Sequence, residues 1–406
     1  MERSRKIAVL AAVNVSVYSM IYMKGTFYNI MQSALRLSHE QLGTALSLYG
    51  MVALISYPLG GWIADSFFSR KMVVLSMGGT IVLGLALASL PSYSWLLLIF
   101  ALFGVFSILT YYPVSTRLVK SLATAEAEGK TFGAYWSLIS VLNVLVYALG
   151  IVLVHFFPEN YAGAYRVLIY MILLIAAAAL VCFMKYFRKD DLPARKSEGV
   201  LASWRRLVRH PQIWLIGLMI LFSYSISCSV TYFTPYLTAV CGLSEEGVLW
   251  LNLVKGYVLG IAAPIIAGTL CDRIGSAVRL IGAGALMISL LTLILLGLSP
   301  ENVVWIILTV TVLEFILQGL HGQVMVTLSE CALPKELVGS AVGFVAFIGY
   351  SPDAFLYRIA GGMLDRLGMA GYSILFAAIA ACGLMCTAAC GLLLWQSRTR
   401  KTRTDR

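Results

Sequence analysis

Arg188-Lys189-Asp190-Asp191-Leu192-Pro193-Ala194-Arg195-Lys196-Ser197-Glu198-Gly199-Val200-Leu201-Ala202-Ser203-Trp204-Arg205-Arg206-Leu207-Val208-Arg209-His210 is the longest polar stretch of the chain, and apolar segments flank it on both sides. Toward the N-terminus, windows bounded by charge, Gly or Pro predict helices near 164–187, 131–156, 94–117, 71–91, 41–64 and 7–31. Toward the C-terminus they predict helices near 211–238, 246–270, 277–298, 302–328, 337–362 and 371–396. Each is long enough to cross about 30 Å of hydrocarbon at 1.5 Å per residue. Counted from the N-terminus they are helices one to twelve of an all-α membrane protein. Its expected organisation is a six-helix bundle over 1–187, a linker over 188–210, a second six-helix bundle over 211–396 and a basic tail over 397–406.

Composition agrees with a chain solvated by lipid. Of 406 residues, 60% are hydrophobic and only 12% charged, against about 25% charged in soluble domains. The apolar segments are too numerous to be a signal peptide with a soluble domain. A net charge of +11 raises the question of nucleic acid, but the charges sit in short connections and at both ends rather than along one face, which argues against that partner. They mark topology instead. Basic residues near helix ends are retained on the cytoplasmic side, so the linker is inside, and alternation places both termini inside with it. Arg3, Arg5 and Lys6 at one end and Arg398, Arg400, Lys401 and Arg403 at the other agree, as do Arg70, Lys71, Arg117, Lys120, Lys130, Arg273, Arg279 and Lys335 in the remaining inside loops. Trp62, Trp95, Trp214, Trp305 and Trp395 fall near predicted helix ends, where an amphipathic ring anchors at the interface. The cysteines have no metal-ligand spacing; Cys382, Cys386 and Cys390 recur at helical intervals as small hydrophobes. No Walker-type loop is present, so the expectation is a chain without cofactor, metal or nucleotide-driven chemistry.

The two halves repeat. An offset of 206 or 207 positions aligns Tyr18 with Tyr224, Phe27 with Phe233, Leu37-Ser38 with Leu243-Ser244, Gly50 with Gly256, Pro58 with Pro264, Gly61 with Gly268 and Asp65 with Asp272. An offset spanning six helices makes the repeats parallel, with an expected site between them near the membrane midplane. The first inside loop, Gly61-Trp62-Ile63-Ala64-Asp65-Ser66-Phe67-Phe68-Ser69-Arg70-Lys71, resembles the loop signature of the major facilitator superfamily, and its repeat copy Gly268-Thr269-Leu270-Cys271-Asp272-Arg273-Ile274-Gly275 keeps the Asp-Arg-x-Gly core. The first copy departs from it, with Ser66 for the basic residue and Phe68 for the Gly. Glu128-Gly129-Lys130-Thr131-Phe132-Gly133 and Leu337-Val338-Gly339-Ser340-Ala341-Val342-Gly343 resemble the family's starts of helices five and eleven, so the likeness covers nearly the whole chain. The resemblance implies alternating access by rocking of the halves, with gating contacts from Asp65, Arg70, Asp272 and Arg273. Tyr22-Met23-Lys24 and Gly349-Tyr350-Ser351-Pro352-Asp353 are similar to the organophosphate antiporter-like bacterial branch. In its phosphate-handling members a basic residue on the first helix meets the anion, which implies that role for Lys24; the equivalent on helix seven is Val230, so a symmetric cation pair is absent.

Ionisable groups inside a membrane cost about 2.5–3.5 kcal/mol each on insertion scales, so they face a cavity, pair, or carry function. Lys24 on helix one, Lys255 on helix eight, Glu314 and His321 on helix ten, and Asp353 and Arg358 on helix eleven are such groups. Helices three, six, nine and twelve have none in their central portions, and these are the helices that the resemblance places outside the cavity. Counting at 1.5 Å per residue puts Lys255 about 14 Å and Glu314 about 18 Å from the outer ends of their helices, near the midplane. Glu314, Gln318 and His321 follow i, i+4, i+7 spacing and share one face.

Cargo-binding candidates are therefore Lys24, Tyr28, Asn143, Tyr232, Asn252, Lys255, Gln318 and Arg358, and proton-coupling candidates are Glu314, Asp353 and His321. Each has a plainer alternative. Lys24 could snorkel to the interface, Lys255 with Glu314 could be a structural ion pair, Asp353 could serve backbone freed by Pro352, and His321 could be a core histidine. Arg358 could close an outer gate. The expected function is secondary transport of a small polar, anionic solute, coupled to a proton or a counter-anion, by a monomer in the bacterial cytoplasmic membrane. Rival readings are a transporter-like sensor and an exporter of a hydrophobic drug or lipid; no nucleophile, base and oxyanion arrangement suggests an enzyme. Epitope tags at either terminus and beside Arg195 are predicted to be accessible only from the cytoplasm. Labelling of any one of them in intact cells overturns the topology.

Overall fold

The computed structural model describes residues 2–122, 128–187, 200–330 and 338–404, which form helices and no strand. Among them ten helices are singly long and apolar enough to cross a membrane, and Glu2–Tyr22 with Lys24–Leu35, bent by 50°, makes an eleventh span. The twelfth is interrupted: Val338–Gly349, a 3-10 turn Ser351–Ala354, and Leu356–Leu367. These are the twelve helices expected, with ends displaced by a few residues. Two differences go further. The linker holds a helix, Val200–Leu207, and helix twelve continues through most of the expected tail, from Met369 to Thr404.

Helices three (Ser69–Ala88), six (Tyr161–Tyr186), nine (Ala277–Gly297) and twelve run without a break, whereas one, four, seven, eight and eleven are broken. Proline explains most of the breaks, because it supplies no N–H to the carbonyl four residues earlier and its ring crowds that carbonyl. In helix four (Tyr93–Ser121) Pro113 follows the π-helical turn Val105–Tyr111. In helix seven, Pro211–Val230 gives way to Phe233–Ala239 just before Pro235, and in helix eight the π turn Val254–Val258 separates Glu245–Leu253 from Leu259–Ile274, which contains Pro264. In helix eleven Pro352 leaves the Ile348 carbonyl without its amide partner, and the Ser351 hydroxyl donates to that carbonyl at 2.7 Å. Helix one has no proline; beside its bend the Ser19 carbonyl receives both the Met23 N–H at 2.9 Å and the Tyr147 hydroxyl of helix five at 3.4 Å. The Ser351 hydroxyl thus keeps the Ile348 carbonyl from being left unsatisfied.

The chain forms two compact units, residues 1–198 with 245–253, and residues 199–244 with 254–406. In the first unit, Gly79 lets helix three approach helix four so closely that a Cβ would lie 2.6 Å from the Phe106 ring, and the Ser76 hydroxyl donates to the Phe106 carbonyl at 2.6 Å. In the second, helices nine and twelve meet through small residues, as membrane helices do where close packing replaces the hydrophobic effect. Ser289 Oγ donates to the Ala380 carbonyl at 2.9 Å, Thr387 Oγ1 to the Gly282 carbonyl at 3.1 Å, and Cys386 and Cys390 are fully buried as the small hydrophobes their spacing suggests. Glu330 caps helix nine: its carboxylate accepts from Ser276 Oγ at 2.8 Å and from the Ala277 N–H. A Cβ at Gly383 would lie 2.2 Å from Ser289 Oγ and 2.7 Å from the Ala285 carbonyl. Gly383→Val is therefore expected to cost about 1–3 kcal/mol through overpacking, measured as a fall of several degrees in the melting temperature of detergent-purified protein; an unchanged melting temperature refutes the contact.

Candidate functional site

The breaks in helices seven, eight and eleven lie beside the charged groups of the second unit. Lys255 occupies the π turn of helix eight, and π turns, which insert an extra residue and re-aim side chains, are frequent at functional sites. Its ammonium donates to the Glu314 carboxylate of helix ten (Val303–Gln323), and the two side chains are only 4% and 8% exposed. The Lys255 ammonium also lies 6.0 Å from the ring centroid of Phe233, the first residue after the break in helix seven. The pair is buried, hydrogen-bonded and net neutral, the form in which charge survives at that depth.

One and two turns along helix ten, Gln318 and His321 are half-buried, so the face opens toward its Gln323 end. Gln318 faces Gly260 of helix eight, where a Cβ would lie 4.0 Å from its Cδ. His321 Nε2 shares a hydrogen bond of 3.0 Å with Ser227 Oγ on helix seven. The same turn of helix seven reaches helix eleven: Tyr224 donates its hydroxyl to Asp353 Oδ2 at 2.8 Å, and the Cys228 thiol lies 3.4 Å from Oδ1. Tyr224 also packs edge-on against Tyr350, with ring centroids 4.7 Å apart. Asp353 is buried, and among the described residues it has no cationic partner. The Ile348 carbonyl that Pro352 frees takes its hydrogen bond from the Ser351 hydroxyl.

The remaining candidates are more dispersed. Tyr232 is buried with its hydroxyl donating to the Tyr357 carbonyl at 2.6 Å, and Arg358 is exposed on Leu356–Leu367. In the first unit, Lys24 is buried at the bend of helix one with its ammonium 5.5 Å from the Tyr22 ring centroid. Tyr28 is fully buried, stacked on His39 and hydrogen-bonded to its Nδ1 at 2.8 Å. Asn143 is half-buried on helix five (Glu128–His155), and the Asn252 amide donates to the Thr26 carbonyl at 3.3 Å. Of the gating candidates, Arg70 is half-buried at the start of helix three, Asp272 and Arg273 are exposed at the end of helix eight, and the Asp65 side chain lies outside the described residues. Sequence reading passed over Tyr224 and Cys228 as partners of Asp353, although their i, i+4 spacing puts both on one face. It also passed over Asn14, whose amide donates to the Tyr135 hydroxyl at 3.0 Å between helices one and five, and Glu330.

The Major Facilitator Superfamily family model matches residues 10–357. Inner membrane protein YihN of Escherichia coli (strain K12) is 25% identical over 374 residues, which cover 90% of this chain and 89% of that protein. Among solved structures, a mutant of the nucleoside transporter NupG superposes with a TM-score of 0.75 at 11% identity, covering 96% of this chain and 99% of the other. A D-xylose-proton symporter gives 0.73 at 14% identity, covering 95% of each.

Removing one member of a buried ion pair leaves an uncompensated charge and costs about 3–5 kcal/mol, whereas replacing both by apolar residues is close to neutral. Lys255→Met is therefore expected to lower the melting temperature markedly and Lys255→Met/Glu314→Met to recover most of it. A double variant no more stable than the single one refutes a direct pair.

Proposed function

The chain belongs to the major facilitator superfamily, and from that premise we propose that it is a secondary transporter of a small polar, anionic solute that moves together with a proton. The observation that carries this reading is the Lys255–Glu314 pair, buried beside the broken backbone of helix eight. An anionic cargo competes with Glu314 for the only attraction that the Lys255 ammonium makes to a carboxylate among the described residues. Once displaced, Glu314 is a buried carboxylate without its cation, a state too costly to persist, and a proton neutralises it. Cargo and proton thus enter as a neutral couple. Release of the cargo returns Lys255 to Glu314 and expels the proton. Gln318 and His321, on the same face of helix ten, offer hydrogen bonds to the polar body of the cargo, and Lys24, buried at the bend of helix one, is the cation candidate of the first unit. Alternation between the two membrane faces follows from the six-plus-six repeat, with the loops bearing Asp65, Arg70, Asp272 and Arg273 stabilising one arrangement. The basic loops assign both termini to the cytoplasm of a bacterial inner membrane. Exchange of one anion for another uses the same cation and leaves Glu314 paired between cargoes.

The cargo is found by thermal shift against a library of anionic metabolites, since a ligand at 100 times its Kd stabilises by about 2.7 kcal/mol. With that ligand in proteoliposomes, Lys24→Ala and Lys255→Ala are expected to abolish binding while the protein still inserts; unchanged uptake in both refutes their contact with cargo. Glu314→Gln, which imitates the protonated state, is expected to lose uphill accumulation driven by a pH gradient and to retain exchange between equal pools. Accumulation with normal pH dependence in that variant transfers the coupling role to Asp353 or His321.

A further inference from the structure

Val200–Leu207, the helix inside the linker, is docked on the second unit by aromatic rings. The Trp204 ring packs edge-on against Phe344 of helix eleven, with centroids 5.1 Å apart, and its centroid lies 5.5 Å from that of Phe347. Trp214, in the first turn of helix seven, meets the same Phe344 ring edge-on at 5.5 Å, and its Nε1 donates to the Val208 carbonyl at 3.0 Å. Leu207 is fully buried. Aromatic pairs of this geometry add to what burial alone contributes, so side chains fix the orientation of this short helix.

Helical hydrogen bonding continues past Leu207, from the Val208 N–H to the Trp204 carbonyl and from the Arg209 N–H to the Arg206 carbonyl. At 100° per residue Val208, Arg205 and Arg209 lie about 40°, 100° and 140° round from Trp204, and Arg206 lies beyond them. Val208 is 49% exposed and the Trp214 ring that bonds to it 42%. Arg205, Arg206 and Arg209 are exposed, and among the described residues no carboxylate pairs with them. One edge of the helix therefore grades from apolar to basic. Water gives no reason for an exposed valine and indole to border three arginines. A bilayer surface does, because hydrocarbon passes into phosphate there, and helices with arginine on one side and aromatic or aliphatic groups on the other lie at that boundary. Chain connectivity holds the segment at this depth: Arg209 is two residues before Pro211, where the membrane-spanning helix seven begins.

We propose that Arg205, Arg206 and Arg209, presented by the docked helix, form a binding site for the phosphate headgroups of anionic phospholipid in the inner leaflet. Guanidinium groups hold phosphate oxygens through paired N–H donors. Each basic residue beside an anionic membrane surface adds about fivefold to the binding constant. Such a site needs only the inside orientation that the basic loops give the linker, and it is independent of the solute carried. Trp204 is its positioning residue, since the ring holds the three arginines along one edge. An occupied site in turn pins Trp204 on Phe344 and Phe347, so lipid composition acts on the half of helix eleven that precedes the Asp353 turn.

Full-length protein in mixed micelles of phosphatidylglycerol and phosphatidylcholine is read by native mass spectrometry for the lipids it retains. The parent is expected to retain phosphatidylglycerol several-fold over phosphatidylcholine. Arg205→Gln/Arg206→Gln/Arg209→Gln is expected to lose most of that preference, and the same three positions changed to lysine, which keeps the charge, to recover much of it. Arg5→Gln/Lys120→Gln/Arg279→Gln removes equal charge from other exposed positions assigned to the inside and is expected to leave the preference intact. Equal loss in both glutamine variants means that net charge alone recruits the lipid, and overturns the site. A parent with no preference overturns it too, and is the outcome that an acidic cytosolic protein as occupant predicts. Trp204→Ala, with all three arginines in place, is expected to lose the preference; full retention there overturns the role given to docking. Soluble glycerol 3-phosphate separates the headgroup from a free anion. It is expected to leave the retained lipid unchanged, and displacement by it assigns the arginines to a free phosphate ester and overturns the membrane site.

Discussion

Hydrocarbon offers no hydrogen bonds, so each backbone N–H and C=O inside the bilayer must find its partner within the protein. This constraint governs where the chain can be irregular. Helices three, six, nine and twelve meet it by remaining continuous, and close contacts of three, nine and twelve run through glycine, serine and threonine. In helix eleven a second group repairs the damage, the Ser351 hydroxyl on the Ile348 carbonyl, and hydroxyls also reach backbone carbonyls at other breaks, Tyr147 on Ser19 and Ser76 on Phe106. Irregularity at mid-membrane therefore comes with polar side chains around it. Those polar surroundings also make the breaks tolerable sites for charge.

Lys255 and Asp353 show two uses of that opportunity. Lys255 sits in a turn wound more widely than an α-helix and meets an opposite charge from helix ten. Asp353 sits in a tighter 3-10 turn and, among the described residues, meets neutral donors, a phenol and a thiol from helix seven. The first arrangement cancels one charge with another inside a single hydrogen bond. The second holds a carboxylate through hydrogen bonds alone, and it ties helix eleven to the turn of helix seven that also reaches His321.

Helix positions were legible in the sequence because the bilayer imposes a length on apolar runs and a sidedness on basic residues, both of which are properties of composition. The Lys255–Glu314 pair was legible for a related reason, since two opposite charges in otherwise apolar helices have few alternatives to meeting each other. What composition does not encode is the rotation of one helix against another. Tyr224 and Cys228 could be placed on one face of helix seven, but only the packed structure aims that face at Asp353. Tyr232, from the same hydroxyl-rich helix, is aimed at a backbone carbonyl. Glu330 lies 53 residues from the amide it caps, in a segment whose sequence carries no cap signature. The division of helix eight was hidden for another reason: a repeat-based reading assigns every residue of a helix to one half, and π turns leave no mark in a hydrophobicity profile.

The neutrality of the Lys255–Glu314 pair has an electrical consequence. A bacterial membrane sustains a voltage, and carrying one elementary charge through 100 mV takes about 2.3 kcal/mol. A lone lysine at that depth would make the empty protein's reorientation run downhill in one direction and uphill in the other. With its charge cancelled within a single hydrogen bond, the pair is a small dipole on which the voltage exerts almost no net force. On the transporter reading proposed above, this pair therefore adds no net charge for the voltage to act on when its site returns empty.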